Sequence, residues 1–128
     1  MKKLIIYAFI LGFGACLVFY AVTCKAIFSE VQSICKMAQE QFEGDEVEAT
    51  IAMLQSEQTS FVQKNKAVYA LGQIGDKRAL PALQGQVTGI PCEKPCPKHK
   101  YVCQYNLETA IKGCSGKFSL TRWMYRFL

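Results

Sequence analysis

The feature that most constrains this chain is the stretch "LIIYAFILGFGACLVFYAVTC", residues 4–24, which holds 21 residues and no charge. A helix of that length rises about 1.5 Å per residue and spans about 30 Å, the thickness of a bilayer's hydrocarbon core. A secretory signal is the competing reading, with Lys2 and Lys3 as its basic start. Signal cores are shorter, about 7–15 residues, and the residues before Cys24 make a poor cleavage site. The length therefore predicts an uncleaved, single-pass anchor. Lys2, Lys3 and the terminal amine favour a cytoplasmic N-terminus, which places the rest of the chain on the exported, periplasmic side.

Roughly 100 residues remain outside the anchor, too few for a deep core without a staple, a metal or a partner. Their charge is uneven. Residues 26–60 carry one basic and seven acidic side chains, net −6, and residues 61–128 carry eleven basic and three acidic, net +8. This asymmetry suits electrostatic contact with another protein. No nucleic-acid-binding signature accompanies it, so nucleic acid is not expected as a partner.

Hydrophobic spacing beyond the anchor is helical throughout. Ile27, Val31, Ile34 and Ala38 continue the first helix as a stalk to about residue 45, where Gly44 and Asp45 break it. A second helix carries Val47, Ile51 and Leu54 on one face. Thr59 or Ser60 caps a third, from Phe61 to about Gly72 or Ile74, with Ala67, Ala70, Leu71 and Ile74 inward. Gly75 and Asp76 turn the chain into a fourth helix, in which Pro81 fits the first turn and Leu80, Leu83 and Val87 align. A Pro-rich loop, residues 88–100, leads to a fifth helix from Tyr101 to about Gly113. No segment has strand periodicity.

Within this pattern "NKAVYALGQIGDKRALPAL", residues 65–83, resembles the short bacterial HEAT-like repeat also found in bilin lyases. Small residues Ala67, Ala70 and Gly72 let the first helix of such a pair sit close to its neighbours, and Gly75 permits the sharp turn. The resemblance is looser across residues 46–116 and covers at most two imperfect repeats. The expected fold is therefore all-α: one N-terminal transmembrane helix (residues 1–25), a helical stalk (26–45), a HEAT-like α-solenoid stub (46–116) and an aromatic, basic tail (117–128). Solenoids usually need three or more repeats to bury a continuous core, so this one is short of its own cover. The resemblance supplies a scaffold and no lyase site; a role as a diverged partner of a tetrapyrrole lyase rests on that analogy alone.

Seven cysteines punctuate the chain. Cys16 lies inside the apolar run, leaving six for an oxidising compartment. On an intact helix Cys103 and Cys114 would stand about 16 Å apart, beyond the roughly 7 Å between Cα atoms that a disulfide tolerates. They are expected to reach back to Cys92 or Cys96, giving a staple worth about 2–4 kcal/mol. The alternative is a metal or thiol-redox module, with Cys92, Cys96, His99 and Cys103 as ligands, although this spacing matches no established zinc pattern. The Cys-x-x-Cys pair of a redox motif is absent. With one histidine, no nucleophile motif and no phosphate loop, the chain is expected to be non-enzymatic and to need no cofactor.

Contact surfaces complete the expectation. Ala8, Gly12 and Cys16 form a small-residue stripe that permits close helix packing in a membrane. Lys64, Lys66, Lys77 and Arg78 offer a basic surface. Arg122, Trp123, Tyr125 and Arg126 in the tail suit a membrane interface, a partner groove or a cap on the solenoid's open end. Together these predict an accessory subunit that binds other membrane or exported proteins as a homo- or hetero-oligomer.

Overall fold

The computed structural model describes residues 2–92 and 96–116. All regular structure among them is helical. The elements run α1 (Lys2–Gln39), α2 (Glu46–Gln55), α3 (Phe61–Ile74), a single 3₁₀ turn (Lys77–Ala79), α4 (Leu80–Gln84) and α5 (Gln104–Cys114). The all-α fold with one long apolar N-terminal helix is thus present. The tail residues Arg122, Trp123, Tyr125 and Arg126 lie outside the described residues, as does the side chain of Ala8.

The chain divides into two compact units, Met1–Glu30 and Val31–Leu128. In the first, most of the described apolar side chains of α1 between Ile6 and Val22 are exposed, while Cys24 is buried. Phe9 is 79 % exposed, Leu11 74 % and Phe19 76 %. Among the described residues α1 alone is long and apolar enough to cross a membrane, and the same length and composition fit a signal sequence.

The second unit begins with the last turns of α1. Val31, Ile34, Cys35 and Ala38 are buried at i, i+3, i+4 and i+7, one helical face. Asp45 starts α2 with a capping box: its carboxylate accepts from the N–H groups of Val47 and Glu48, and Glu48 reaches back to the Asp45 N–H. Ser60 and Gln63 make the same reciprocal arrangement at α3. Gly75 ends α3 at φ 68°, a left-handed conformation that costs glycine nothing. Asp76 then accepts from the Arg78 N–H and caps the 3₁₀ turn.

The core centres on α3, which packs against both α2 and α5, with α4 against α5 and α2. Met53, Leu54, Val68, Leu71, Leu83 and Leu107 are fully buried, each contributing about 1.5–3 kcal/mol. The contact between α3 and α5 is close to backbone-on-backbone. A Cβ at Gly72 would sit 2.9 Å from the Ala110 Cα, and one at Gly113 would sit 2.7 Å from the Gly72 carbonyl oxygen.

Two elements differ from the sequence pattern. The fourth helix stops at Gln84, and Val87, expected on its inner face, is 47 % exposed. Gly85 follows directly, and its weak helix propensity favours the end there. The fifth helix starts at Gln104 and not Tyr101, because the Cys103 N–H donates 2.8 Å to Asn65 Oδ1 of α3, holding Cys103 extended as the N-cap residue.

Arg78 bridges elements distant in sequence. Its guanidinium donates to Asp76 at 3.0 Å and to Asp45, the α2 cap, at 2.7 Å, with Glu48 at 3.6 Å. Hydrogen bonds from the Arg78 side chain and backbone hold the Asp76 carboxyl below its ordinary range. Asp45 is lowered likewise, first by the Glu48 N–H and then by Arg78.

Two predictions follow from this packing. Alanine normally favours a helix over glycine by about 1 kcal/mol. At Gly113 the added methyl meets backbone, so overpacking prevails and Gly113→Ala loses about 1–2 kcal/mol of stability. Gly14→Ala, where a Cβ meets nothing within 4 Å, loses none; urea unfolding in non-ionic micelles, followed by circular dichroism, measures both. Because the folded carboxyls of Asp45 and Asp76 titrate below the unfolded value of about 3.9, their stabilisation is complete above that pH. It is lost as pH falls through the folded values. The melting temperature of the wild type therefore drops below about pH 4, and Arg78→Met flattens that drop.

Candidate functional site: three thiols at the start of the fifth helix

The loop between α4 and α5 would be free to wander without its polar ties to the helices. Asn65, on α3 and only 5 % exposed, makes most of them. Its Nδ2 donates to the carbonyls of Lys98 (3.0 Å) and Tyr101 (2.9 Å), and to Phe61 one turn back (2.8 Å). Its Oδ1 accepts from the Cys103 N–H. Both ends of the amide are therefore satisfied by one segment, residues 98–103, and removing it would strand buried backbone groups. Gln104 ties the other side: its Oε1 accepts from the Thr88 N–H (2.9 Å) and its Nε2 donates to the carbonyls of Gln86 and Val102 (both 3.2 Å).

These ties bring Cys92, Cys96 and Cys103 together, with all three sulfurs within 4.8 Å of one another. Cys92 and Cys96 are half-buried and Cys103 is buried. The Cys92 Sγ accepts from the Gln104 N–H, the first amide of α5, at 2.9 Å. Burial of Cys92 pushes its thiol up, but the N–H groups of Tyr105 and Gln104 and the two neighbouring thiols outweigh this, and it ionises more readily than an ordinary cysteine. Burial and the two other sulfurs push Cys96 up to about 12. Cys92 thus gives up its proton before Cys96.

The ligand set expected from the sequence is rearranged. His99 is exposed in the turn at residues 98–100 and is not in the converging group. Cys114 is not in it either; its thiol lies at the α3–α5 contact and donates to the Leu71 carbonyl at 3.4 Å. The Cys92 and Cys103 Sγ atoms, expected as partners in a staple, stand 3.8 Å apart, against about 2.05 Å for a disulfide. Sequence reasoning missed Asn65, whose one signal is a polar residue on an otherwise inward helix face.

The expected partner surface is divided. Lys66 and Lys77 are exposed, and Lys64 lies 6.0 Å over the Phe61 ring. Arg78 is engaged within the molecule. On α1, Cys16 is exposed and a Cβ at Gly12 would meet nothing within 4 Å. Two clefts flank the tied loop. One, of about 360 Å³, is lined by the three cysteines with Lys98 and Asn106. The other, of about 480 Å³, is mostly apolar, with Phe61, Ile90, Pro97 and Tyr101 in its wall.

A family model, the PBS lyase HEAT-like repeat, matches residues 64–85. That segment is α3 from Lys64 onward, the turn and α4, and it includes Asn65, Gly72, Gly75 and Asp76. No curated protein and no solved structure matches the chain.

The unequal thiols can be checked directly. In the reduced, chelator-treated protein, iodoacetamide labels Cys92 ahead of Cys96 at pH 8. The Cys92 rate turns over at a lower pH than that of an ordinary cysteine, while the Cys96 rate is still climbing there. Peptide mass mapping reads both, and the reverse order would show that the first amides of α5 do not stabilise the Cys92 thiolate.

Proposed function

We propose that this chain is a non-enzymatic accessory subunit, anchored by α1 in a membrane, whose HEAT-like unit binds another protein of a membrane-associated assembly. The observation that carries the reading is the HEAT-like match over α3 and α4. Repeats of this kind present stacked helices as binding surfaces and depend on neighbours to cover their ends. The exposed apolar surface of α1 supports the anchor, since Phe9, Leu11 and Phe19 would be costly to leave in water. The open stripe at Gly12 and Cys16 supports helix–helix contact within the bilayer. Lys66, Lys77 and the apolar cleft beside Phe61 and Ile90 are the surfaces offered to a soluble partner. The N-terminus is cytoplasmic and the helical unit exported in this reading, following the positive charges that precede α1.

Expression of the full chain tests this in two steps. The protein stays with the membrane pellet after alkaline carbonate extraction and keeps its N-terminal residues by mass. In mild detergent it migrates on a native gel well above its 14.4 kDa monomer, and Gly12→Ile shifts it toward the monomer. A carbonate-soluble or N-terminally processed protein would sink the anchor; a strict monomer would sink the accessory-subunit reading.

A further inference from the structure

We infer that Cys92, Cys96 and Cys103 form a binding site for one thiophilic divalent cation, Zn²⁺ in the first place, with three thiolate ligands and the fourth coordination place left to water. This goes beyond the binding role argued above and does not depend on it.

The geometry is what distinguishes a metal from a staple here. Zinc–thiolate bonds of about 2.3 Å at tetrahedral angles put neighbouring sulfurs about 3.8 Å apart. The Cys92 and Cys103 sulfurs are 3.8 Å apart, and all three lie within 4.8 Å. A disulfide would have to pull two of them together to about 2.05 Å and would leave the third without a mate. Three converging thiols suit one metal better than any pairing.

The surroundings fit the same purpose. Metal-bound thiolates are normally held by hydrogen bonds from outside the ligand set. The Gln104 N–H points at the Cys92 sulfur from 2.9 Å, and Asn65 fixes the backbone of Cys103 through its N–H. Two ligands thus hang on the start of α5, one as its N-cap residue and one on its first amide. Binding breaks three S–H bonds and forms three Zn–S bonds. Three protons leave to solvent, no electrons move, and the filled centre carries one negative charge. Lys98 in the adjoining cleft and the positive end of α5 offset that charge. The cleft leaves the centre reachable, the arrangement of a site that exchanges its fourth ligand and not of a closed structural one. His99 takes no part.

The full chain in detergent micelles, reduced, freed of metal with a chelator and kept from air, is titrated with Co²⁺ and then Zn²⁺. The expected result is one Co²⁺ per chain, a sulfur-to-cobalt charge-transfer band of three-thiolate intensity, and its bleaching by Zn²⁺. Zn²⁺ then shields Cys92, Cys96 and Cys103 from alkylation and leaves the labelling of Cys16 unchanged. Cys96→Ser lowers the band by about a third, whereas His99→Ala leaves it intact. Circular dichroism confirms that each variant keeps its helix content; where one does not, the shielding pattern of the wild type decides. Absence of the band, a band untouched by Cys96→Ser, or a Cys92–Cys103 disulfide in protein isolated from its membrane without reductant overturns the proposal.

Discussion

The close approach of α3 and α5 at Gly72 governs the rest of the helical unit. With no side chain at Gly72 or Gly113, the two backbones meet, and the carbonyl of Gly72 occupies the space a Gly113 methyl would need. Leu71 and Val68 from α3 and Leu107 from α5 then close around that point. Setting α5 this near to α3 brings its first turn within reach of Asn65. From there residues 98–103 are held largely by polar groups from α3 and by Gln104.

The thiol cluster is a product of that arrangement. Cys103 is buried because α5 begins at the α3 surface, and Cys92 is drawn in because its sulfur meets an amide that a helix start leaves without an internal partner. Neither side chain is placed by its own local sequence. A chain of this size cannot cover its core by length alone. The unit relies instead on two reciprocal capping boxes, the Arg78 bridge between the α2 cap and the turn after α3, and two amide side chains that stitch the loop down.

The helices and their starts were legible in the sequence because their signals are local. Apolar residues recur at helical spacing, Asp45 and Ser60 stand where caps belong, and Gly75 marks the turn. The HEAT-like motif was legible for the same reason, since it lies within about 20 consecutive residues, too short a match to name a function. What could not be read depends on partners far along the chain. The bonds from Asn65 to the loop join residues 33 to 38 positions apart. The bond to the Cys103 N–H moved the start of α5. The use of Arg78 as an internal bridge was hidden likewise, because an arginine that meets an aspartate 33 residues away looks like any other surface charge.

Asn65 also ties two parts of the chain through one side chain. Its amide is shared between the middle of α3 and residues 98–103, so the loop cannot lift without exposing carbonyls and an N–H that α3 now satisfies. The loop's attachment therefore runs through a side chain of the HEAT-like pair. The same amide thus sits between the α3 helix and the residues that carry Cys103.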